Sequence, residues 1–153
     1  MSTDDDKSFI GDINPSSEEI REILMSSKRI AVAGLSPKED RPSNRVAKYL
    51  IEHGYDIIPV NPGQKEILGI KCYPSIADIP FEVDIADMFL NVSRIPDAVD
   101  QAIEKGVKVI WMQLGIYHRE AGEKAVCSGA KVIMDKCIKM EHEKLLNPPS
   151  EKS

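Results

Sequence analysis

With 153 residues, 42% of them hydrophobic and 29% charged, the chain has room for one domain with a real core and too little for two. Its formal net charge of -5 argues against a nucleic-acid partner, which would call for a basic surplus. No apolar run approaches the ~20 residues that cross a bilayer, and the N-terminal Met-Ser-Thr-Asp-Asp-Asp-Lys-Ser is acidic where a secretory leader is basic and then apolar, so the expectation is a cytoplasmic protein without a membrane partner.

Residues 1–13 are polar and charged and read as a flexible tail, residues 148–153 read as another, and 14–147 is left as the folded domain. The first helix is expected from Ser16, where Ser16 and Glu19 stand at capping-box spacing and Ile20, Ile23 and Leu24 form an apolar stripe. Arg29-Ile-Ala-Val-Ala-Gly34 follows, a short apolar run closed by glycine, which is the pattern of a strand buried on both faces. Asn44 to His53 reads as a helix burying Val46, Ala47, Leu50 and Ile51. A second strand is expected over Asp56–Val60, with Pro59 implying that position 59 has no ladder partner for its nitrogen.

Ser75 to Asp78 reads as one helical turn, and Asp84 to Leu90 as a third strand. A helix over Pro96 to Lys105, a fourth strand over Val107 to Met112, a helix over Glu120–Ser128, a fifth strand over Ala130 to Asp135 and a polar helix to Leu146 complete the series. Strands alternating with helices imply parallel pairing and right-handed crossovers. The predicted fold class is therefore α/β, a single-domain Rossmann-like doubly wound parallel sheet of about five strands with helices on both faces. Ligands of such sheets lie beyond the carboxyl ends of the strands, so the loops after the strands are where chemistry is sought.

The loop after the first strand, Gly34 to Arg45, is the richest. Gly34 permits a sharp turn, Ser43 is placed to cap the next helix, and the helix start favours an anion. Ser36 and Ser43 add hydroxyls, while Arg41 and Arg45 add donors suited to phosphate oxygens. The plainer alternative is a surface loop with a serine cap and solvated arginines. The glycine fingerprint of a dinucleotide site is missing, and Asn61 stands at the end of the second strand where an acidic residue would hold a ribose. Both points disfavour a nicotinamide nucleotide. Lys65 could reach a phosphate, Asn91 and Ser93 offer polar contacts after the third strand, and Gln113 with Gly115 stands at the end of the fourth. His118 reads as a helix-start residue rather than an acid/base group. Three cysteines, Cys72, Cys127 and Cys137, show no metal-ligand spacing and fit reduced thiols. Cys137, near a helix start, is the one whose pKa could be lowered, although a small core side chain is the simpler reading.

Read in order, the segments Ile30-Ala-Val-Ala-Gly-Leu-Ser-Pro37, Arg41-Pro-Ser43, Val46 to Tyr55, Ile58-Pro-Val-Asn-Pro62, Trp111-Met-Gln-Leu-Gly115 and Met134 to His142 resemble the CoA-binding-domain family. These are small stand-alone proteins related to the N-terminal part of the succinyl-CoA synthetase α-subunit, and the likeness covers about residues 16 to 146. The resemblance implies coenzyme A as cofactor. It implies that Gly34, Leu35, Ser36 and Pro37 with Ser43 cradle the phosphates and that Arg41 assists. It further implies that Val60, Asn61 and Pro62 flank the adenosine with Lys65 near a phosphate, and that Gln113, Leu114 and Gly115 line the pantetheine path. Asn91 and Ser93 complete the expected contacts, although the family pattern differs there; the family's lysine also follows Pro-Gly directly, where this chain inserts Gln64.

The synthetase's phosphorylated histidine belongs to a separate ligase domain. No segment of these 153 residues reads as that domain or as a Ser/His/Asp set, carboxylate pair or metal cluster in its place, so a free-standing acyl-CoA ligase is not expected. The expected function is non-catalytic binding of coenzyme A or an acyl-CoA, with a separate catalytic chain or a second copy as protein partner. The alternatives are a nicotinamide-dependent oxidoreductase, a thiol-dependent transferase using Cys137, and an interaction module with a vestigial nucleotide cleft.

Overall fold

The computed structural model describes residues 7–146. In chain order it runs through helices α1 (Ser8–Ile13) and α2 (Ser17–Ser26), strand β1 (Arg29–Ala33), helix α3 (Pro42–Glu52) and strand β2 (Asp56–Val60). A hairpin of β3 (Glu66–Ile67) and β4 (Ile70–Lys71) and a 3-10 turn (Ile76–Asp78) precede β5 (Ile85–Met88). After a second 3-10 turn (Val92–Arg94) come α4 (Ile95–Lys105), β6 (Val109–Met112), α5 (Arg119–Cys127), β7 (Lys131–Ile133) and α6 (Ile138–Leu146). No helix among the described residues is long and apolar enough to cross a membrane.

Five strands pair in parallel in the order β2-β1-β5-β6-β7. They are the five predicted strands, and their order reverses between β1 and β5, which is the switch point of a doubly wound sheet. Alternate residues feed two cores. Ala31, Ala33, Ile58, Val60, Ala86, Met88, Ile110 and Met112 face one layer, where Val99 and Ala102 of α4 and Ala125 of α5 cover them. Ile30, Val32, Ile57, Ile85, Val109 and Trp111 face the other, covered by Ile20 and Leu24 of α2, Ala47 and Leu50 of α3 and Ile138 of α6. Burial of strands on both faces is why their sequences read as unbroken apolar runs.

Three local readings need correction. The expected tail over 1–13 holds a helix at Ser8–Ile13, and Phe9, Ile10 and Ile13 pack against the core. The anchor is Asn14, whose amide donates to the Met134 carbonyl at 2.9 Å and accepts from the Met134 N–H at 2.8 Å, imitating one more strand pairing. Residues 1–6 and 147–153, and with them the rest of both expected tails, lie outside the described residues. The second correction concerns Ser43, which does not cap α3. The helix starts two residues earlier, with Pro42 in its first turn and Arg41 at the cap, where no side chain closes the end. The third is Ile51, which α3 leaves exposed rather than buried. The β3–β4 hairpin has no counterpart among the expected elements; its turn residues Leu68 (φ 57°) and Gly69 (φ 74°) both adopt left-handed backbone, as a two-residue type I′ turn requires.

The reading of Pro59 holds. The Pro59 carbonyl accepts from Tyr73 N–H at 3.0 Å on the outer side of β2, so its missing N–H also faces away from β1 and the ladder loses nothing. Ser16 caps α2 as expected, its hydroxyl accepting from Glu19 N–H at 3.1 Å.

Candidate functional site

The carboxyl ends of β1, β2 and β5 open into a cleft of about 340 Å³. Its floor is Ala33 and Gly34, and one wall is Val60, Asn61 and Pro62 with Pro74, Ser75 and Ile76. The opposite wall is Leu90, Ser93 and Arg94, continued by Asp97, Ala98 and Gln101 of α4. The cleft therefore straddles the switch point.

Gly34 is required by its surroundings. Its φ is +82°, and a Cβ there would lie 2.2 Å from the Phe89 carbonyl oxygen. Its N–H donates to the Val60 carbonyl at 2.9 Å, which ties β1 to β2 where they end. Beyond it the loop is drawn down against the protein. Asn61 Nδ2 donates to the Leu35 carbonyl at 3.0 Å, and Asn44 Nδ2 donates to the next carbonyl, Ser36, at 2.8 Å. The Ser36 N–H donates to Ser43 Oγ at 3.0 Å, and Ser36 Oγ accepts from Lys38 N–H at 3.1 Å. Each hydroxyl thus accepts from an amide, and its own hydrogen is what it has left to donate. The loop presents hydroxyl donors beside the start of α3.

Helix ends sharpen the picture. Ser16 caps α2 and His118 caps α5, its Nδ1 accepting from Ala121 N–H at 3.1 Å. The two helices that start beside the switch point, α3 and α4, have no side-chain cap and carry proline in the first turn. The positive end of α3 is available to an anion, whereas α4 continues a 3-10 turn that Asn91 caps and carries Asp97 in its own first turn.

Of the expected contacts, Gly34, Val60, Asn61, Pro62 and Ser93 line the cleft. Ser36, Pro37 and Arg41 belong to the adjoining loop, with Pro37 and Arg41 exposed, and Ser43 stands buried in the first turn of α3. Lys65 is exposed next to the hairpin, and Asn91 caps the turn after β5 by accepting from Ser93 N–H at 3.0 Å. Leu35 does not present its side chain. It is 0% exposed in the core, because an apolar side chain beside a buried strand end finds the core before it finds solvent.

Gln113 also turns inward. At 3% exposure it donates to Asp87 Oδ1 and accepts from Ile138 N–H. Leu114 is exposed, and the Gly115 N–H is already taken by Asp135 Oδ1 at 2.7 Å.

Arg94, Ser75 and Gln101 are cleft residues that sequence reasoning did not single out. Only Arg94 left a trace, as the cation in the loop after the third predicted strand. Asp87 is the other omission: a fully buried carboxyl in β5, pushed by burial up to about 8 against the opposing hydrogen bond from Gln113. Of the thiols, Cys72 is buried, and burial pushes its pKa up, away from thiolate chemistry. Cys127 is exposed and Cys137 half-buried.

Comparison with known proteins adds to this geometry. The family model described as a CoA binding domain matches residues 28–143. The uncharacterized protein YneT of Bacillus subtilis (strain 168) is 43% identical over 129 residues, covering 84% of this chain and 96% of YneT. ADP-forming acetate–CoA ligase I of Archaeoglobus fulgidus is 33% identical over 129 residues, covering 78% of this chain but 19% of the ligase. A solved structure of a hypothetical protein from Pyrococcus horikoshii OT3 superposes with a TM-score of 0.84 at 48% identity, covering 86% of this chain and 93% of that one.

Proposed function

The chain belongs to the CoA-binding domain family, and from that premise we propose that it binds coenzyme A or an acyl-CoA without transforming it. The observation that carries this reading is the cleft at the switch point, flanked by the start of α3, which no side chain caps. Gly34 lets a phosphate approach the backbone, the Ser36 and Ser43 hydroxyls donate to its oxygens, and Pro37 and Arg41 form the outer lip. Arg94 supplies a second cation across the cleft. Val60, Asn61 and Pro62 flank the adenosine, with Lys65, Asn91 and Ser93 at the rim and Leu114 and Gly115 toward the pantetheine arm. Leu35 and Gln113 act from beneath the surface.

Two features weigh against a nicotinamide cofactor. The loop has one glycine of the fingerprint. The side chain at the end of β2 is Asn61, committed on both sides: Nδ2 to the Leu35 carbonyl and Oδ1 to Gly63 N–H at 2.8 Å. A separate catalytic chain is the partner this reading favours, since the matching region of the ligase is a fifth of a larger protein.

Calorimetric titration with coenzyme A, ATP, NAD and NADP tests the proposal. Coenzyme A should bind more tightly than the other three, and absence of coenzyme A binding at sub-millimolar concentration would overturn it. Ser43→Asp should weaken binding by about tenfold or more, because it sets negative charge against a phosphate in a partly desolvated site.

A further inference from the structure

We propose that Asp87 is a neutral, proton-carrying positioning residue that sets the loop after β6 through Gln113, an inference that rests on the coenzyme A reading above. Asp87 is 0% exposed in β5, paired with Val32 of β1 and Trp111 of β6. Its Oδ1 accepts from the Gln113 amide, and Gln113 Oε1 accepts from the Ile138 N–H at 3.4 Å at the start of α6. Its Oδ2 has no donor among the described residues. A carboxylate in that position would bring full charge into an apolar core with Gln113 as its one donor among the described residues.

A proton on Oδ2 removes the charge and turns an acceptor without a partner into a donor. The same side of the sheet, covered by α3, holds a buried acceptor in need of one, Asn44 Oδ1. The neighbours presented by β1, β6 and α6 (Val32, Trp111, Gln113 and Ile138) are uncharged. Of the buried titratable groups of α6, His142 pairs with Tyr49 and Glu141 turns Oε2 toward Lys144, while its Oε1 has no donor among the described residues.

Ionisation would demand further donors. Gln113 can supply its second N–H only by turning, and turning withdraws its carbonyl from Ile138 and shifts Leu114 and Gly115, which follow it directly. Proton occupancy on Asp87 therefore sets the geometry of the wall proposed for the pantetheine arm.

Carbon-13 NMR of labelled aspartate, amide exchange at Ile138 and calorimetry with coenzyme A test this together in the wild type and in Asp87→Asn and Asp87→Leu. The Asp87 carboxyl should remain protonated at neutral pH and titrate near pH 8, with Ile138 losing protection over the same range relative to Asp87→Asn, a ratio that cancels the intrinsic rise of amide exchange with pH. Asp87→Asn imitates the neutral acid and should bind coenzyme A within about twofold of wild type at about pH 6.5. Between there and about pH 9 the wild type should lose about fivefold relative to Asp87→Asn; the ratio cancels titration of the ligand itself. Asp87→Leu cannot accept from Gln113 and should bind about tenfold more weakly.

A carboxyl titrating in the ordinary carboxylate range, or an affinity ratio flat with pH, would overturn the proposal. Should Asp87→Leu fail to fold, the asparagine variant and the NMR titration decide alone. Should the wild type bind no coenzyme A, the functional reading fails, while the carboxyl titration and Ile138 exchange still decide the state of Asp87.

Discussion

Gly34 and Asp87 are single residues on which the site turns, for opposite reasons. At Gly34 any side chain meets the Phe89 carbonyl and forces left-handed backbone on a residue that resists it. Gly34→Ala should lower stability by about 3 kcal/mol, read as a shift in urea midpoint, and reduce coenzyme A binding with it. At Asp87 the group itself is the burden. The folded state holds its proton to about pH 8, whereas the unfolded chain releases it in the ordinary carboxylate range. Stability from this group is thus whole at acid pH and declines as pH rises through that window. Urea denaturation of Asp87→Asn should show a gain on the order of 2 kcal/mol over wild type at pH 8, shrinking toward pH 4. Neither Asp87 nor Gln113 was legible as a network in the sequence. Each is one polar residue at an apolar strand, and whether such a side chain faces a ligand or the core depends on which helix covers it.

At the scale of elements, the packing of α6 on α3 is the most testable contact. Tyr49 OH and His142 Nδ1 lie 2.7 Å apart, and the rings of His53 and Tyr55 stand edge-on to His142 at 5.1 and 5.7 Å. Burial lowers the His142 pKa, the charge of His53 lowers it further, and Glu143 opposes both. The unfolded chain therefore takes up the proton first on acidification. This contact contributes fully above the free imidazole pKa of about 6.5 and is lost as pH falls below it. Wild type should lose on the order of 1 kcal/mol between pH 7.5 and 5 relative to His142→Gln, measured by urea midpoints. The slope is opposite in sign to that of Asp87, so the two are separable by variant.

The elements themselves were largely legible, since buried parallel strands announce themselves as unbroken apolar runs and helices by their stripes. What escaped was short or held by side chains. α1 has six residues and an Asn14 anchor to Met134, and the β3–β4 turn places leucine where glycine or asparagine would have signalled it. The start of α3 was misplaced because Ser43 has the chemistry of a cap, whereas its hydroxyl is engaged with Ser36 across the loop.

For the molecule as a whole, the net charge of -5 sets a polyanionic ligand against an adverse global field. Attraction must come from the start of α3, the serine hydroxyls and Arg41 and Arg94 acting at short range. Salt screens the long-range repulsion first and the short-range contacts least, so raising it from about 50 to 500 mM should change coenzyme A affinity by no more than about twofold, measured by calorimetry; a steep loss would argue that exposed ion pairs dominate. The outer border of β2 has a consequence of another kind. Pro59 offers no donor there, and Tyr73 N–H occupies its carbonyl, so a foreign strand meets an interrupted row of hydrogen-bonding groups. The opposite border, β7, is three residues long and begins with Lys131. A sheet trimmed at both margins in this way resists extension from one molecule into the next, and assembly with another chain would therefore have to proceed through helices and loops.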